Sequence, residues 1–576
     1  MQLSVAILEK TGNKPHLCSR TKTDDAMKKF IFAILLALAP LHACSDKEDY
    51  PWNRPAADEY ELTHGQIVLG EQLKDPYSVE NMTKALLSVY PAAAGRSHID
   101  PTDYYVRFLP KNEEQVQQLL DMELLLLDHP LDYRIVKDGD WYHDPGVPEN
   151  DVTWLYGVVP LDFEFPSNIR YERLEDCYLS EHDPQTKSDG IDWAAVERES
   201  FRLTGNAAML GLGTKAEDDA PRAPEGYITI LDPDDPEGTV GVKGVRVCCN
   251  SFVKTAAAYT DENGHYKMSR TYSGELRFRL MFKNSKGFSQ GLNHPLLPAS
   301  VSALGKYPAE GCSVEIDNGS DYHLFVRSVL NNAGYEYCQT CEKSAGAIPK
   351  PPKDLRIWDL PLFAGSFNIM MHHGVIIDTF SPLHDVLGPL AMVARYVQPD
   401  VYFGIEGCAS YSDAYARALL AFVQAGHFAR VGKDWWHEYV LGAIGDGIVQ
   451  SVTDLLAPGD AGDGKEEPEE AGAKNNVKSC AAGGSSTYAE IVQNYSNYCQ
   501  TVLYRRHYPG SDALFGDRLN SPQIFLYLEE RGLGLELLAP LFTSDVTDMA
   551  FLKQKMLSYY PQFKNVIMEA FARYEY

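Results

Sequence analysis

The spacing of apolar residues predicts a small α/β domain over residues 59–213. From Tyr77 to Tyr90 apolar side chains recur at the three- and four-residue intervals of an amphipathic helix, and shorter runs with strand-like composition follow. The other predicted elements are a strand at 104–109, a helix at 112–120, a strand at 122–127 and a strand at 154–159. None of these elements carries a recognisable catalytic set.

Residues 226–300 alternate between apolar and polar side chains, which is typical of strands with one buried face. Asn263 and Gly264 form an Asn-Gly pair that predicts a tight turn between two such runs. The stretches GVKGVRV, AYTDENGHYKM and GELRFRLMF resemble the carboxypeptidase regulatory-like β-sandwich, which in its family is usually a non-catalytic appendage. The alternating apolar positions are Val242, Val245, Val247, Tyr266, Met268, Leu276, Phe278, Leu280 and Phe282.

Residues 350–576 are predicted to be mainly helical, after two short strands at 355–358 and 401–403. The predicted helices lie at 411–429, 435–456, 488–504 and 549–573. Residues 214–225 and 345–353 have the Pro-rich and charged composition of linkers. Residues 457–486 lack apolar periodicity and cannot bury enough surface to offset their ordering entropy, so we predict a disordered insertion there.

Composition narrows the class of protein. Of 576 residues, 44% are hydrophobic and 23% are charged, which is ordinary for a chain with buried cores and unlike collagen or a multi-span membrane protein. The 80 acidic residues outnumber the 52 basic ones, and the net charge of −28 repels a phosphate backbone. We therefore expect no nucleic-acid partner. The sequence also contains no GxSxG, P-loop or GxGxxG motif in a suitable context.

The N-terminal region contains an export signal that begins at Met27 rather than at Met1. Lys28 and Lys29 precede an apolar run at residues 30–41. That run is too short to span about 30 Å of hydrocarbon, but it has the usual size of a signal-peptide core. Residues 27–43 are therefore predicted to be a lipoprotein signal peptide, and residues 1–26 a mis-assigned upstream extension.

Cys44 ends the sequence Leu-His-Ala-Cys, which resembles a lipobox, where the cysteine is acylated before cleavage. Residues 44–58 form a predicted tether, and its Ser-Asp-Lys-Glu-Asp run resembles the export signal of Bacteroidota-type surface lipoproteins. The resemblance implies lipid attachment at Cys44 and a position on the outer face of the outer membrane. The alternatives are a signal peptide cut nearby, which leaves Cys44 as a free thiol, and an acidic run that is only a solvated tether.

Cys338 and Cys341 form a CxxC motif, but no second pair follows at the spacing of a zinc ribbon. We therefore expect a disulfide or two free thiols at these positions rather than a metal site.

The helical region resembles the metallopeptidase-like C-terminal domain of a group of surface lipoproteins, through the segments AGHF, RVGKDWW and YSNYCQTVLYRRHY. The segment YYVRFLPKNEEQ and the β-sandwich fit the same architecture. In that group a helix carries His-Glu-x-x-His, whose two His bind Zn²⁺ while the Glu deprotonates the metal-bound water. The resemblance implies that the ligand positions fall at Leu420 and Gln424, and the base at Ala421. The third ligand falls at Gln493, with Glu490 one turn earlier.

The side chains at these positions lack the required chemistry. Leucine has no ligand atom, alanine has no proton acceptor, and a glutamine carbonyl is a poor zinc ligand. We therefore predict a degenerate motif whose turn is an apolar core face. His427 is expected to be a hydrogen-bonded structural residue. The weak alternative ligand set is His427, Glu490 and a histidine from residues 372–384.

The predicted fold is thus α+β and multidomain, with a small α/β N-terminal domain, a β-sandwich middle domain and a mainly helical metallopeptidase-like C-terminal domain. The predicted function is that of a non-catalytic binding or scaffolding lipoprotein on the cell surface, without a cofactor. Its expected partners are the membrane, through the lipid anchor, and a peptide, a glycan or an outer-membrane protein. The alternative is an active zinc metallopeptidase with non-standard ligands.

Overall fold

The computed structural model describes residues 61–92, 99–148, 151–187, 190–210, 220–293, 297–360, 364–375, 398–443, 487–511, 523–574 and 576. Over these ranges the protein is a mixed α+β structure with several sheets, as predicted. None of the helices in these ranges combines the length and the apolar composition needed to cross a bilayer. The predicted upstream extension (1–26), signal peptide (27–43), lipid-attachment residue Cys44, tether (44–58) and insertion (457–486) lie outside the described residues.

The N-terminal part consists of two three-stranded sheets, β1-β4-β2 and β5-β3-β6, with helices packed beside them. Its elements are β1 Glu61–Leu62, β2 Val68–Gln72, α1 Val79–Val89, β3 Asp103–Leu109, α2 Glu113–Asp121, β4 Tyr133–Asp138, β5 Leu155–Pro160, β6 Arg170–Cys177 and α3 Trp193–Leu203.

Most predicted elements of this part are confirmed, because α1, β3, α2 and β5 lie where the pattern places them. The side chains of Ser78 and Asn112 accept backbone N–H bonds and so define the starts of α1 and α2. The predicted strand at 122–127 is wrong. Glu123 has a left-handed backbone (φ 55°), which interrupts an extended run, and Leu127 forms only an isolated bridge to Tyr156.

The middle part contains two further four-stranded sheets. One has the order β10-β9-β12-β14, and the other has the order β11-β7-β15 with β8 also paired to β7. The strands are β7 Glu225–Leu231, β8 Thr239–Gly241, β9 Arg246–Ser251, β10 Lys254–Tyr259, β11 His265–Lys267, β12 Leu276–Met281, β13 Phe288–Gln290, β14 Val301–Tyr307 and β15 Val314–Ile316.

Side chains of these two sheets meet in a shared core, and every alternating apolar position predicted from the sequence is buried. The rings of Tyr266 on β11 and Phe278 on β12 lie 6.3 Å apart, across the two sheets. The predicted turn is present at Gly264, whose φ of 76° suits glycine. It is not a hairpin, however, because β10 and β11, which flank it, belong to different sheets.

The C-terminal part is mainly helical and begins with a long helix that the sequence pattern did not indicate. Its elements are α4 Tyr322–Lys343, β16 Leu355–Leu360, β17 Ala364–Asn368, β18 Val401–Ile405, α5 Tyr411–Val431, α6 Lys433–Ala443, α7 Thr487–His507, α8 Gln523–Glu530, α9 Leu535–Leu538, α10 Met549–Tyr559 and α11 Lys564–Arg573. The predicted helix at 549–573 is divided at Pro561, which starts a short 3₁₀ turn between α10 and α11.

One continuous core joins the middle and C-terminal parts. Strand β13 pairs with β16, and β16 with β18, so the sheet β13-β16-β18-β17 crosses from one part to the other. Phe288 of β13 packs against Phe422 of α5 at 4.9 Å between ring centroids. The predicted linker at 345–353 is packed as well, since Ile348 is buried and the carbonyl of Pro349 accepts a bond from Tyr337.

Helices α4 and α5 approach each other closely because glycine stands at two of their contacts. A Cβ on Gly334 would lie 2.2 Å from the ring of Phe422, and one on Gly426 would lie 2.4 Å from the hydroxyl of Tyr337. Any larger residue at either position would have to separate the helices. These contacts fix where α5, which carries the positions of the predicted degenerate motif, lies in the fold.

Ion pairs join the N-terminal part to the rest of the chain. Asp138, almost wholly buried, accepts hydrogen bonds from Arg277 at 2.7 Å and from Arg279 at 3.0 Å. His64 lies with Nδ1 3.2 Å from Asp140 and Nε2 3.2 Å from Asp321. The hydrogen bond to Asp140 raises the pKa of His64 to about 9, although burial opposes the shift. This imidazole is therefore charged at neutral pH and bridges two carboxylates.

Candidate functional site

Helix α5 carries the three positions of the predicted degenerate motif, and the structure places them on two different faces. Ala421 is buried, and its carbonyl accepts a bond of 2.7 Å from the side-chain amide of Asn368. Leu420 and Gln424 are only partly buried. The prediction that all three form one core face is therefore wrong for Leu420 and Gln424. They lie one turn apart at the margin of the core, while Ala421 and Phe422 point inward.

Helix α7 carries the two positions considered for a third ligand, and neither points toward α5. Gln493 is exposed, and Glu490 lies beside the hydroxyl of Tyr576. Other residues of α7 contact α5. The ring of Tyr495 packs against that of His427, and the side-chain amide of Gln500 donates a bond of 2.5 Å to the carbonyl of Ala416. Glu490 is five residues before Tyr495 and is thus about 140° around the helix from it.

His427 is fully buried in a cage of aromatic rings. The ring centroids of Tyr495, Trp435, Trp436 and Phe542 lie 4.6, 5.3, 5.8 and 6.1 Å from that of the imidazole. Neither ring nitrogen has a hydrogen-bond partner among the described residues, so the prediction of a hydrogen-bonded histidine is wrong. Burial, with a smaller contribution from the charge of Arg430, lowers the pKa of His427 to about 3.

The remaining histidines of the alternative ligand set are engaged or lie outside the described residues. His372 and His373 occupy a turn after β17. Nδ1 of His373 is 3.0 Å from Asp400, and Nε2 is 3.0 Å from the carbonyl of Lys353, so both ring nitrogens face protein atoms. His384 is not among the described residues.

No group of three or more His, Cys, Asp or Glu side chains with metal-binding geometry occurs in the part of the chain that the structure describes. Cys338 and Cys341 both lie on α4 as buried free thiols, which decides between the two forms expected for the CxxC motif. Burial raises the pKa of each thiol to about 12, so neither is a ready thiolate ligand at neutral pH.

The structure assembles a partly buried polar group that sequence reasoning missed. We call it the Glu336 cluster: Glu336 of α4, Lys243 after β8, Tyr415 of α5 and His507 of α7. The carboxylate of Glu336 accepts bonds from Lys243 at 2.5 Å and from Tyr415 at 2.6 Å, and it lies 2.9 Å from Nδ1 of His507. Burial alone would raise the pKa of Glu336, but the bond from His507 and the charge of Lys243 outweigh it and lower the pKa to about 2.

The Glu336 cluster ties four elements together with one carboxylate. The ring of His507 also stacks on Tyr415 at 4.3 Å, and the neighbouring Tyr508 donates a bond of 2.7 Å to the buried Asp232. Its four members are far apart in the sequence and share no spacing rule, so no sequence signal marks them as neighbours. These contacts connect the end of α7 to the middle part of the chain.

Comparisons with known proteins add no assignment: no protein-family model matches the chain, and neither the curated proteins nor the solved structures include a significant match.

Proposed function

We propose that the protein is a lipoprotein on the outer face of the outer membrane that binds or scaffolds other molecules through a degenerate metallopeptidase-like domain. The observation that carries the proposal is the motif turn of α5, where Leu420, Ala421 and Gln424 stand in place of two ligands and a base. The packing of Ala421 and its bond to Asn368 give this turn a structural role. None of the three side chains supplies what zinc hydrolysis needs.

The buried connections between the parts favour a scaffolding role. Residues 59–213, 226–300 and 350–576 are proposed as three modules of the lipoprotein architecture. The second and third share a sheet and a core, and ion pairs join the first to the second. Modules connected in this way could together present one surface to a peptide, a glycan or another outer-membrane protein. Its high negative charge keeps it from anionic surfaces while acyl chains on Cys44 hold it at the membrane.

Zinc analysis tests the proposed loss of catalysis. We expect the protein, purified without added metal, to contain far less than one zinc per chain and to show no chelator-sensitive proteolysis. The double variant Leu420→His with Gln424→His serves as a positive control, because it places two imidazoles one turn apart at partly exposed positions. About one tightly held zinc in the wild type, with proteolysis that a chelator abolishes, would instead establish the alternative of an active metallopeptidase.

Substitution of Cys44 tests the proposed anchor. Cys44→Ala should move the protein from the membrane fraction to the soluble fraction, because the acylated side chain is lost. Cys18→Ala, in the predicted upstream extension, should leave the distribution unchanged. Mass spectrometry of the N-terminal peptide should find acyl groups on Cys44, and protease treatment of intact cells should cleave the wild type. Equal membrane retention of both variants would contradict the anchor.

A further inference from the structure

A row of side chains crosses the outer face of the sheet β10-β9-β12-β14 at one end. Tyr259 of β10 lies directly opposite Arg246 of β9, and Arg246 lies directly opposite Met281 of β12. Residues that lie directly opposite each other point to the same face of a sheet. Val247 and Leu280, the neighbours of Arg246 and Met281, are buried in the shared core, so the row points away from that core.

Lys283 follows the end of β12 and lies on the same side as the row. Phe282, between Met281 and Lys283, is buried in the shared core, which leaves Lys283 on the outer side with Met281. Burial lowers the pKa of the Lys283 amine, and the positive charge of Arg246 lowers it further. Two cations that lie close together affect each other in this way.

Neither Arg246 nor Lys283 forms an ion pair with a carboxylate of the described residues, although both are partly buried. Two partly buried like charges destabilise the fold unless an anion compensates them. In a chain with 80 acidic and 52 basic residues, this pair of cations is an exception. Other partly or wholly buried cations of the middle part have carboxylate partners, in the pairs Lys243–Glu336, Lys254–Glu197, Lys286–Glu342, Arg277–Asp138 and Arg279–Asp138.

The surroundings limit the charge of a ligand. Glu123, in the loop after α2, lies beside the row, because its charge acts on the pKa of both Lys283 and Tyr259, each of which is shifted chiefly by burial. Asp354 and Asp121 also oppose the lowering of the Lys283 pKa. These carboxylates do not pair with Lys283, but they repel a ligand with several negative charges. An open groove of about 550 Å³ along α2, lined in part by Asp121, leaves room for an uncharged remainder of the ligand.

We propose that Arg246, Lys283 and Tyr259 form a binding site for an acidic sugar with a single carboxylate. The guanidinium and the ammonium hold the carboxylate through charge-assisted hydrogen bonds. The ring of Tyr259, 43% exposed, supports the apolar face of the sugar ring. The Cβ atoms of directly opposite residues are about 5 Å apart, so one small ligand reaches both Tyr259 and Arg246. The inference goes beyond the proposed function, since this site lies on the β-sandwich rather than on α5 and requires neither the lipid anchor nor the absence of zinc.

Isothermal titration calorimetry with D-glucuronate tests the proposal. We expect a dissociation constant on the order of millimolar. Binding should be at least tenfold weaker for D-glucose, which lacks the carboxylate, and for acetate and inorganic sulfate, which lack the ring. Arg246→Gln and Lys283→Gln should each weaken the binding of D-glucuronate at least tenfold. The proposal is overturned if D-glucuronate does not bind, or if acetate or sulfate binds as tightly.

Matched variants elsewhere on the β-sandwich separate the site from a general effect of charge or exposure. Tyr227 on β7 is 50% exposed, and Lys267 on β11 is exposed as well. Tyr227→Ala and Lys267→Gln should bind D-glucuronate as the wild type does, whereas Tyr259→Ala should bind it only as weakly as the wild type binds acetate. An equal loss of affinity in the control variants and in the site variants overturns the proposal.

Amine labelling measures the site in the unsubstituted protein, so its result does not depend on whether a variant folds. Lys283 is acetylated with a limiting amount of acetic anhydride and quantified by mass spectrometry of its peptide. Saturating D-glucuronate should reduce this labelling severalfold, because the bound carboxylate covers the amine and favours its protonated form. D-Glucose should not change it, and labelling of Lys267 should stay constant. Labelling of Lys283 that D-glucuronate leaves unchanged overturns the proposal.

Discussion

His427→Leu should remove most of the loss of stability that the wild-type helical region suffers between pH 7 and pH 4. The wild-type imidazole is neutral when folded, because burial lowers its pKa from 6.5 to about 3. The unfolded chain takes up a proton below pH 6.5 and the folded chain does not, so this contribution is complete above pH 6.5 and falls as the pH drops toward 3. The slope is about 1.4 kcal/mol per pH unit, so about 3 kcal/mol is lost by pH 4.

The groups around His427 explain why acid has this effect. The cage supplies aromatic rings from α6, α7 and Phe542, and the nearby charge is the guanidinium of Arg430, which bonds to the carbonyls of Ala539 and Ala347. A protonated His427 would therefore meet another cation and no carboxylate in direct contact among the described residues. Protonation is thus coupled to opening of the cage.

Urea unfolding followed by tryptophan fluorescence at several pH values measures the effect, because Trp435 and Trp436 are part of the cage. His427→Leu keeps the volume nearly constant and leaves no unpaired nitrogen, so it should be at least as stable as the wild type at pH 7. His427→Gln also cannot titrate in this range but retains an unpaired polar group. Its free energy of unfolding should therefore be lower than that of His427→Leu, and should change just as little between pH 7 and pH 4. The prediction would be contradicted if the free energy of unfolding of both variants fell as steeply below pH 7 as that of the wild type.

Asp75→Asn should stabilise the N-terminal part at neutral pH, and by an amount that grows with pH. Asp75 is almost wholly buried, and burial raises the pKa of its carboxyl well above the ordinary value of 3.8. The nearby charges of Glu175 and Asp132 add to the shift, and the bond from the N–H of Tyr77 only partly opposes it. Oδ2 has no partner among the described residues. The ionised form is therefore strongly disfavoured in the folded chain.

The direction of this pH dependence follows from the protons that the folded and unfolded chains bind. Above the unfolded pKa of 3.8 the unfolded chain releases the proton while the folded chain keeps it, so the wild type loses stability as the pH rises. The loss relative to Asp75→Asn is about 1.4 kcal/mol per pH unit until the folded pKa is reached. The asparagine keeps an oxygen for the N–H of Tyr77, and its amide can donate toward the neighbouring carboxylates.

Thermal and urea unfolding of wild type, Asp75→Asn and Asp75→Ala between pH 4 and pH 8 checks this prediction. Both variants should diverge from the wild type with the same pH slope, because both lose the carboxyl group. The alanine variant should be lower by about 1–3 kcal/mol, since the buried N–H of Tyr77 then has no acceptor. A pH-independent difference, or an asparagine variant less stable than the wild type at pH 7, would show that the carboxylate has an ionic partner.

Periodicity was most informative where one side of an element is buried along its length. In β12 the apolar residues Leu276, Phe278 and Leu280 alternate with arginines, so their burial could be predicted residue by residue. The same reasoning failed at residues 122–127, where the left-handed backbone of Glu123 breaks a run with strand-like composition. It also gave no indication of α4, because this helix is buried on most of its circumference and lacks a clear polar face.

The sequence by itself determined the chemistry of the motif turn, since leucine, alanine and glutamine cannot act as two zinc ligands and a base in any fold. It also determined the charge of the chain, and it predicts an export signal that no described residue tests. Only the tertiary structure decided which polar groups meet. Glu336 contacts Lys243, Tyr415 and His507 from three other parts of the chain, whereas His427 and Asp75 have buried polar atoms that meet no partner among the described residues. Such pairings depend on long-range packing, which brings together residues that no local spacing relates.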